Sequence, residues 1–264
     1  MITDPNTPSL TEAPETRTLN LSDIGNRYLR TLQRMFDVAS YLIEGSRLVS
    51  ERGYDDMARS IRFLPSQKDH RGFDAAREEA ERYLLKNLLN DVLNLVVPLL
   101  EDLRGFCALA DWQKGDRNPE VAQRILSTER SEFLKLNLQA KFNHLRDVTG
   151  LTSPLTPGIL ALTNVGACLA SRSGVVSERD VTSGGELAIR LVSLEVVPTD
   201  PAKIAEGAAA ASPRFGELRK TFTIGETIRF EKTEYLNIIA TVALFATSLL
   251  TATQNKLKGT IPSA

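Results

Sequence analysis

The stretch DAAREEAERYLLKNLLNDVLNLVVPLLEDLRGF, Asp74 to Phe106, is the most apolar helical run of the chain. Its leucines and valines, from Leu84 through Leu88, Val92, Leu99 and Leu103, recur at three- and four-residue intervals and fall on more than one face. A helix that is apolar on several faces needs other helices around it, so this run predicts the centre of a bundle. Pro98 has no backbone donor to offer the preceding turn, and a kink is expected there.

Outward from that helix the pattern stays helical. On its N-terminal side, Ile24, Tyr28, Leu32, Met35, Ala39 and Ile43 form one apolar stripe, capped by Asn20 or Ser22. A shorter helical piece runs to Phe63 and stops before Pro65. On the C-terminal side, Asn118 and Pro119 are a cap and a first helical residue for helix 119–136, and helix 137–148 ends at Gly150. Residues 1–19, rich in Pro, Thr and acidic side chains, are expected to be a disordered tail, and 259–264 a second tail. After Gly174 the runs ELAIRLVSLEVV (186–197) and KTFTIGETIRF (220–230) are β-branched and partly alternating, which predicts a small hairpin within about 186–231. The last helix is expected over Thr233–Lys256. The predicted fold is all-α: a helical bundle with a small β-hairpin inserted before the C-terminal helix.

Composition limits the function classes. The 264 residues are 42% hydrophobic and 25% charged, with a formal net charge of -1, which suits a globular protein and announces no basic surface for nucleic acid. RNA binding is therefore possible without being indicated by charge. Cys107 and Cys168 both lie in apolar helical contexts and read as buried thiols of a reducing compartment, so a cytoplasmic protein is expected. The N-terminus lacks the basic and apolar segments of a secretory signal. Tyr235–Asn255 carries no charge and has the length to cross a bilayer, but Asn237, Ser248, Gln254 and its threonines suit a protein interior better.

Catalytic parts are sparse. The only histidines are His70, in the polar loop KDHRG, and His144, assigned to the polar face of its helix near Lys141 and Arg146. No Cys/His spacing suits zinc, and no phosphate-binding glycine loop or nucleophile turn occurs; no metal and no cofactor are expected. Gly184-Gly185 reads as a hairpin connection ahead of a phosphate-hugging turn. The stretch TNVGACLASRSGVVSERDV, Thr163–Val181, remains. It predicts a helix over Ile159–Arg172, a left-handed stop at Gly174 and a short extended run. Gly166, Ala167, Ala170 and Ser171 are small, so another helix can approach closely.

From about Phe133 onward, several pieces in order resemble the HEPN-like helical domains, a family that includes RNA-cleaving toxins and defence proteins of prokaryotes. FLKLNLQAKFNHLRDVTGL (133–151) is similar to the helix before the family's motif. VGACLASRSGVV (165–176) resembles the segment that usually carries Arg-Asn, then His, then Gly and valines. FTIGETIRFEKTEYLNIIATVALFATSLL (222–250) is similar to the closing strand, turn and final helix. The resemblance implies a domain over 119–258, preceded by an N-terminal helical part over 20–118. It also implies a shared cleft between two protomers, in which His acts as a base on a ribose 2′-hydroxyl while Arg holds the phosphoryl charge. The Arg position falls at Gly166, the Asn at Ala167 and the His at Ser171, so the motif is degenerate and no catalytic residue is assigned. The expected function is then a non-catalytic interaction or scaffold protein, a regulator or inactive partner in a prokaryotic defence or toxin-antitoxin system. Its expected interface is helix 159–172, through Ala167, Ala170, Arg172 and Gly174, to a protein partner or a second copy. The alternative is a metal-independent endoribonuclease using displaced groups, such as Arg172 with His144.

Overall fold

The computed structural model describes residues 20–60, 72–112, 118–181, 184–198 and 211–258. His70, the continuation of the second helix to Phe63, and both expected tails lie outside them. The helices are α1 (Leu21–Leu48), α2 (Glu51–Ser60), α3 (Phe73–Asn94), α4 (Val96–Trp112), α5 (Pro119–Lys135), α6 (Leu138–Thr149), α7 (Thr156–Arg172) and α8 (Lys232–Lys258). Strands β1 (Glu186–Pro198) and β2 (Ala211–Thr223) form an antiparallel hairpin between α7 and α8. The architecture is the expected all-α bundle with one small β insertion.

The central apolar run is two helices, not one kinked helix. Pro98 cannot donate to Asn94, so the ladder opens at Leu95, whose own N–H turns back to Val92. Leu85, Leu88, Leu89 and Val92 of α3 and Val96, Leu99, Leu100 and Leu103 of α4 are buried around this break. α1 lies against α3, α4 and α8, while α7 lies against α3 and β1. One core joins Leu21, Ile24 and Leu32 of α1 to Ile159 and Leu162 of α7 and Ile238 and Phe245 of α8. It therefore spans both sides of the 118/119 boundary.

Caps follow the local chemistry. The Asn20 side chain accepts from Ser22 N–H, Asn118 from Glu120, and Asn137 from Ala140. At the end of α7 the left-handed residues are Ser173 (φ 53°) and Gly174 (φ 84°), one residue earlier than the glycine alone suggests. Gly174 N–H closes on Cys168 O. The extended run after it pairs with the turn beyond β2: Val176 donates to Glu226 O, and Ile228 donates to Gly174 O.

Two expectations about the hairpin need correction. Its second strand starts at Ala211 and ends at Thr223, so Ile224–Phe230 is a turn and connection. Pro213 and Gly216 hid the strand in the sequence; an edge strand tolerates both. Gly184-Gly185 leads into β1, with Gly185 at φ 75°, and does not join the two strands.

α8 has the length and mean hydropathy to cross a membrane, yet half of its apolar window is buried inside the protein. Its polar residues work within the fold. Asn237 and Thr241 accept from the β1 amides of Leu194 and Val192, at 2.9 and 2.8 Å, and Ser248 bonds Ser153.

Candidate functional site

The residues at the positions to which the resemblance assigns the motif diverge on α7. Gly166 is buried against α3, where a methyl group would meet Leu89, Leu93 and Asn90 at 3.7–3.8 Å. Ala167, Ala170 and Ser171 are exposed. Positions 166 and 171 lie about 140° apart around a helix, so they face no common cleft within this chain. The Ser171 hydroxyl donates back to Ala167 O at 2.7 Å. Asn164, Ala167, Ala170 and Ser171 make an exposed strip of small, non-ionisable side chains.

Arg172 and Gly174 are engaged inside the fold. The Arg172 guanidinium binds the buried Asp180 carboxylate, whose second oxygen accepts from Ser177 N–H and Oγ–H at 2.8 and 2.9 Å. Gly174 is buried, and a side chain there would sit 3.0 Å from Leu169. The Cys168 thiol donates to Val175 O at 3.2 Å, and burial, with Asp180 adding to it against the opposing Arg172, pushes its pKa up. A thiol so placed is a poor nucleophile. Arg172 and Asp180 together pin the 173–181 loop to the end of α7.

The structure assembles a different cationic cluster around Phe133, between α4, α5 and α6. Arg104 is 6% exposed; its Nε donates to His144 Nε2 at 3.0 Å, and its guanidinium carbon lies 5.5 Å from the Phe133 ring centroid. The Lys141 ammonium donates to Phe133 O and sits 4.5 Å from the same centroid. Burial lowers the Lys141 pKa against the opposing charge of Glu101. His144 packs edge-on to Phe133 at 5.6 Å and is half-buried, which corrects its assignment to a solvated face. The displaced pair Arg172 with His144 is not formed either, since each has its own partner at a different place. Beside the cluster is a groove of about 270 Å³ lined by Glu101, Asp102, Arg104, Gly105, Arg130 and Phe133.

Sequence reasoning missed Arg104, and a signal for it existed. Arg104 falls in step with Leu100 and Cys107, on the buried stripe of α4. On α6 the buried face carries Lys141, Phe142, Leu145 and Thr149, while the apolar Val148 is 58% exposed, so hydrophobicity alone does not mark the face that holds Lys141. Among the described residues, no group of His, Cys, Asp and Glu is arranged to hold a metal ion.

A larger surface feature lies between α1 and α3. A groove of about 280 Å³ is lined by Met35, Val38, Leu42, Leu84 and Leu88, with Arg34 and Asp91 also in its lining. It continues past Leu42 and Leu84 to Tyr41 and Tyr83. Comparison with models of known families, with curated proteins and with solved structures gives no match.

Proposed function

We propose that this chain is a non-catalytic, HEPN-like helical interaction protein, a scaffold or inactive regulatory partner in a prokaryotic defence or toxin-antitoxin assembly. The observation that carries the reading is the exposed face of α7, where Asn164, Ala167, Ala170 and Ser171 offer neither a base nor a cation. A general base contributes about 10²–10⁴-fold, and an anion-stabilising donor about 10²–10³-fold. With both absent, cleavage at this place falls to background.

Two surfaces suit a protein partner. The small side chains Ala167 and Ala170 let a helix approach α7 closely. The α1/α3 groove suits an amphipathic helix, because exposed Val38, Tyr41 and Leu48, with Gly45, follow the alternating three- and four-residue spacing of a helix-pairing seam. Arg34 and Asp91 both line it, so a partner helix would meet one charge of each sign.

The second reading, a metal-independent endoribonuclease, draws on one observation: a guanidinium and an imidazole lie 3.0 Å apart at Arg104 and His144. It ranks second because His144 Nε2 already accepts from Arg104, so the lone pair a base needs is occupied. The purified full chain incubated with RNA in the absence of metal should leave the RNA intact. Cleavage that disappears in His144→Ala would overturn the proposal in favour of the ribonuclease.

A further inference from the structure

The hairpin has one edge that the helices pair and one that they do not. β1 sets Arg190 across from Arg219, Val192 across from Glu217 and Leu194 across from Phe215. The N–H groups of Val192 and Leu194 donate to α8, so at these positions β1 turns its amides away from β2. In an antiparallel ladder, the residue opposite such a position also turns its N–H and C=O outward. Phe215 and Glu217, and by the two-residue period Arg219 and Thr221, therefore present their backbone groups along the outer edge of β2. Thr223 is in the same phase, and its N–H does point outward, to Glu226 Oε2 at 2.9 Å. Residues 214–217, 219 and 221 are exposed, and among the described residues no strand pairs with this edge.

The side chains on this edge specify what fits it. Arg219 lies directly across from Arg190, a like-charge pair that weakens a ladder. Glu217 sits 3.8 Å from Arg190, and no carboxylate among the described residues pairs with Arg219. An incoming strand should place an acid opposite Arg219 and a base opposite Glu217. The strand FGELRKT, Phe215–Thr221, does so when reversed upon itself about Leu218. Glu217 then faces Arg219 of the copy, Arg219 faces Glu217, and Phe215 faces Thr221. All of these residues turn their backbone groups outward, so each pair can form both of its hydrogen bonds. Neighbouring registers fail on chemistry. Centring on Glu217 or Arg219 opposes like charges, centring on Lys220 opposes two lysines, and centring on Gly216 sets Arg219 against Pro213, which has no donor.

We propose that β2 is the interface between two copies of this chain, joined antiparallel at their outer edges with the two-fold axis at Leu218, so that two hairpins form one four-stranded sheet. The full chain should show twice the chain mass by light scattering at high concentration. Arg219→Glu and Glu217→Arg should each return it to the monomer mass, and the double variant should restore the dimer. Leu218→Cys should form a disulfide-linked dimer on mild oxidation, since side chains at a non-hydrogen-bonded pair have Cβ atoms about 4.5–5.5 Å apart. Cys107 and Cys168 are buried and should not compete. A monomer mass at every concentration overturns the proposal. So does a dimer indifferent to Arg219→Glu, or a disulfide formed by Gly216→Cys or Lys220→Cys in place of Leu218→Cys.

Discussion

Gly158 and Gly166 lie about two turns apart on α7 and look interchangeable in the sequence. Their surroundings differ. A methyl group on Gly158 would stand 2.7 Å from the carbonyl oxygen of Arg190, a backbone atom that cannot swing aside, so α7 crosses β1 at this glycine. On Gly166 the same methyl would make ordinary contacts at 3.7–3.8 Å with side chains of α3. Gly158→Ala should therefore destabilise by about 1–3 kcal/mol through overpacking. Gly166→Ala should be neutral or stabilising by up to about 1 kcal/mol, because alanine favours the helix. Urea unfolding midpoints of the two variants decide; equal shifts in the same direction would refute the distinction. The sequence marks both residues as small. Which one touches backbone depends on a strand about thirty residues further along the chain, and no local pattern encodes that.

α8 shows how a polar residue in an apolar helix serves another element. Asn237 Oδ1 and Thr241 Oγ1 accept the outward amides of β1, so the inner edge of the hairpin is paired by side chains. Removing either acceptor leaves a β1 amide without its partner, which costs about 1–3 kcal/mol. Thr241→Val and Asn237→Ala should each lower stability by that amount and speed hydrogen exchange at Val192 and Leu194 respectively. Unchanged exchange at both amides would show that the hairpin does not depend on these bonds. The sequence reading of Asn237 and the threonines as interior groups holds for Asn237, Thr241 and Thr253, which are buried; their task was not legible, because it depends on where β1 lands. β2 was half-read for a related reason. Its end at Lys220–Thr223, where Phe222 packs in the core, falls within the run read as a strand, whereas Arg214, Phe215 and Glu217 face solvent on an edge, where the usual β signals fade.

At the scale of the molecule, the core draws on α1 and α8 together, and each contributes a buried tyrosine: Tyr28 and Tyr235. An exposed phenol ionises near pH 10. Burial, then Glu81 and Glu234, pushes Tyr235 up to about 12, and burial alone pushes Tyr28 upward as well. The folded state therefore holds these protons over a range in which the unfolded chain has released them. Their contribution is fully present below pH 10 and is lost as the pH rises through the folded values. On alkaline titration helix content should fall in one step above pH 10, coincident with a rise in tyrosinate absorbance, because both buried phenols belong to one core. Tyr28 adds a further term: its hydroxyl has no hydrogen-bond partner among the described residues, so the fold carries a buried polar group at a cost of about 1–3 kcal/mol. Tyr28→Phe removes both that cost and the ionisation, and it should raise stability at neutral pH by about 1 kcal/mol and move the alkaline midpoint upward. Tyr235→Phe should move the alkaline midpoint in the same direction. A midpoint unmoved by both replacements, or loss of helix in two separate steps, would mean that α1 and α8 do not share one cooperative core.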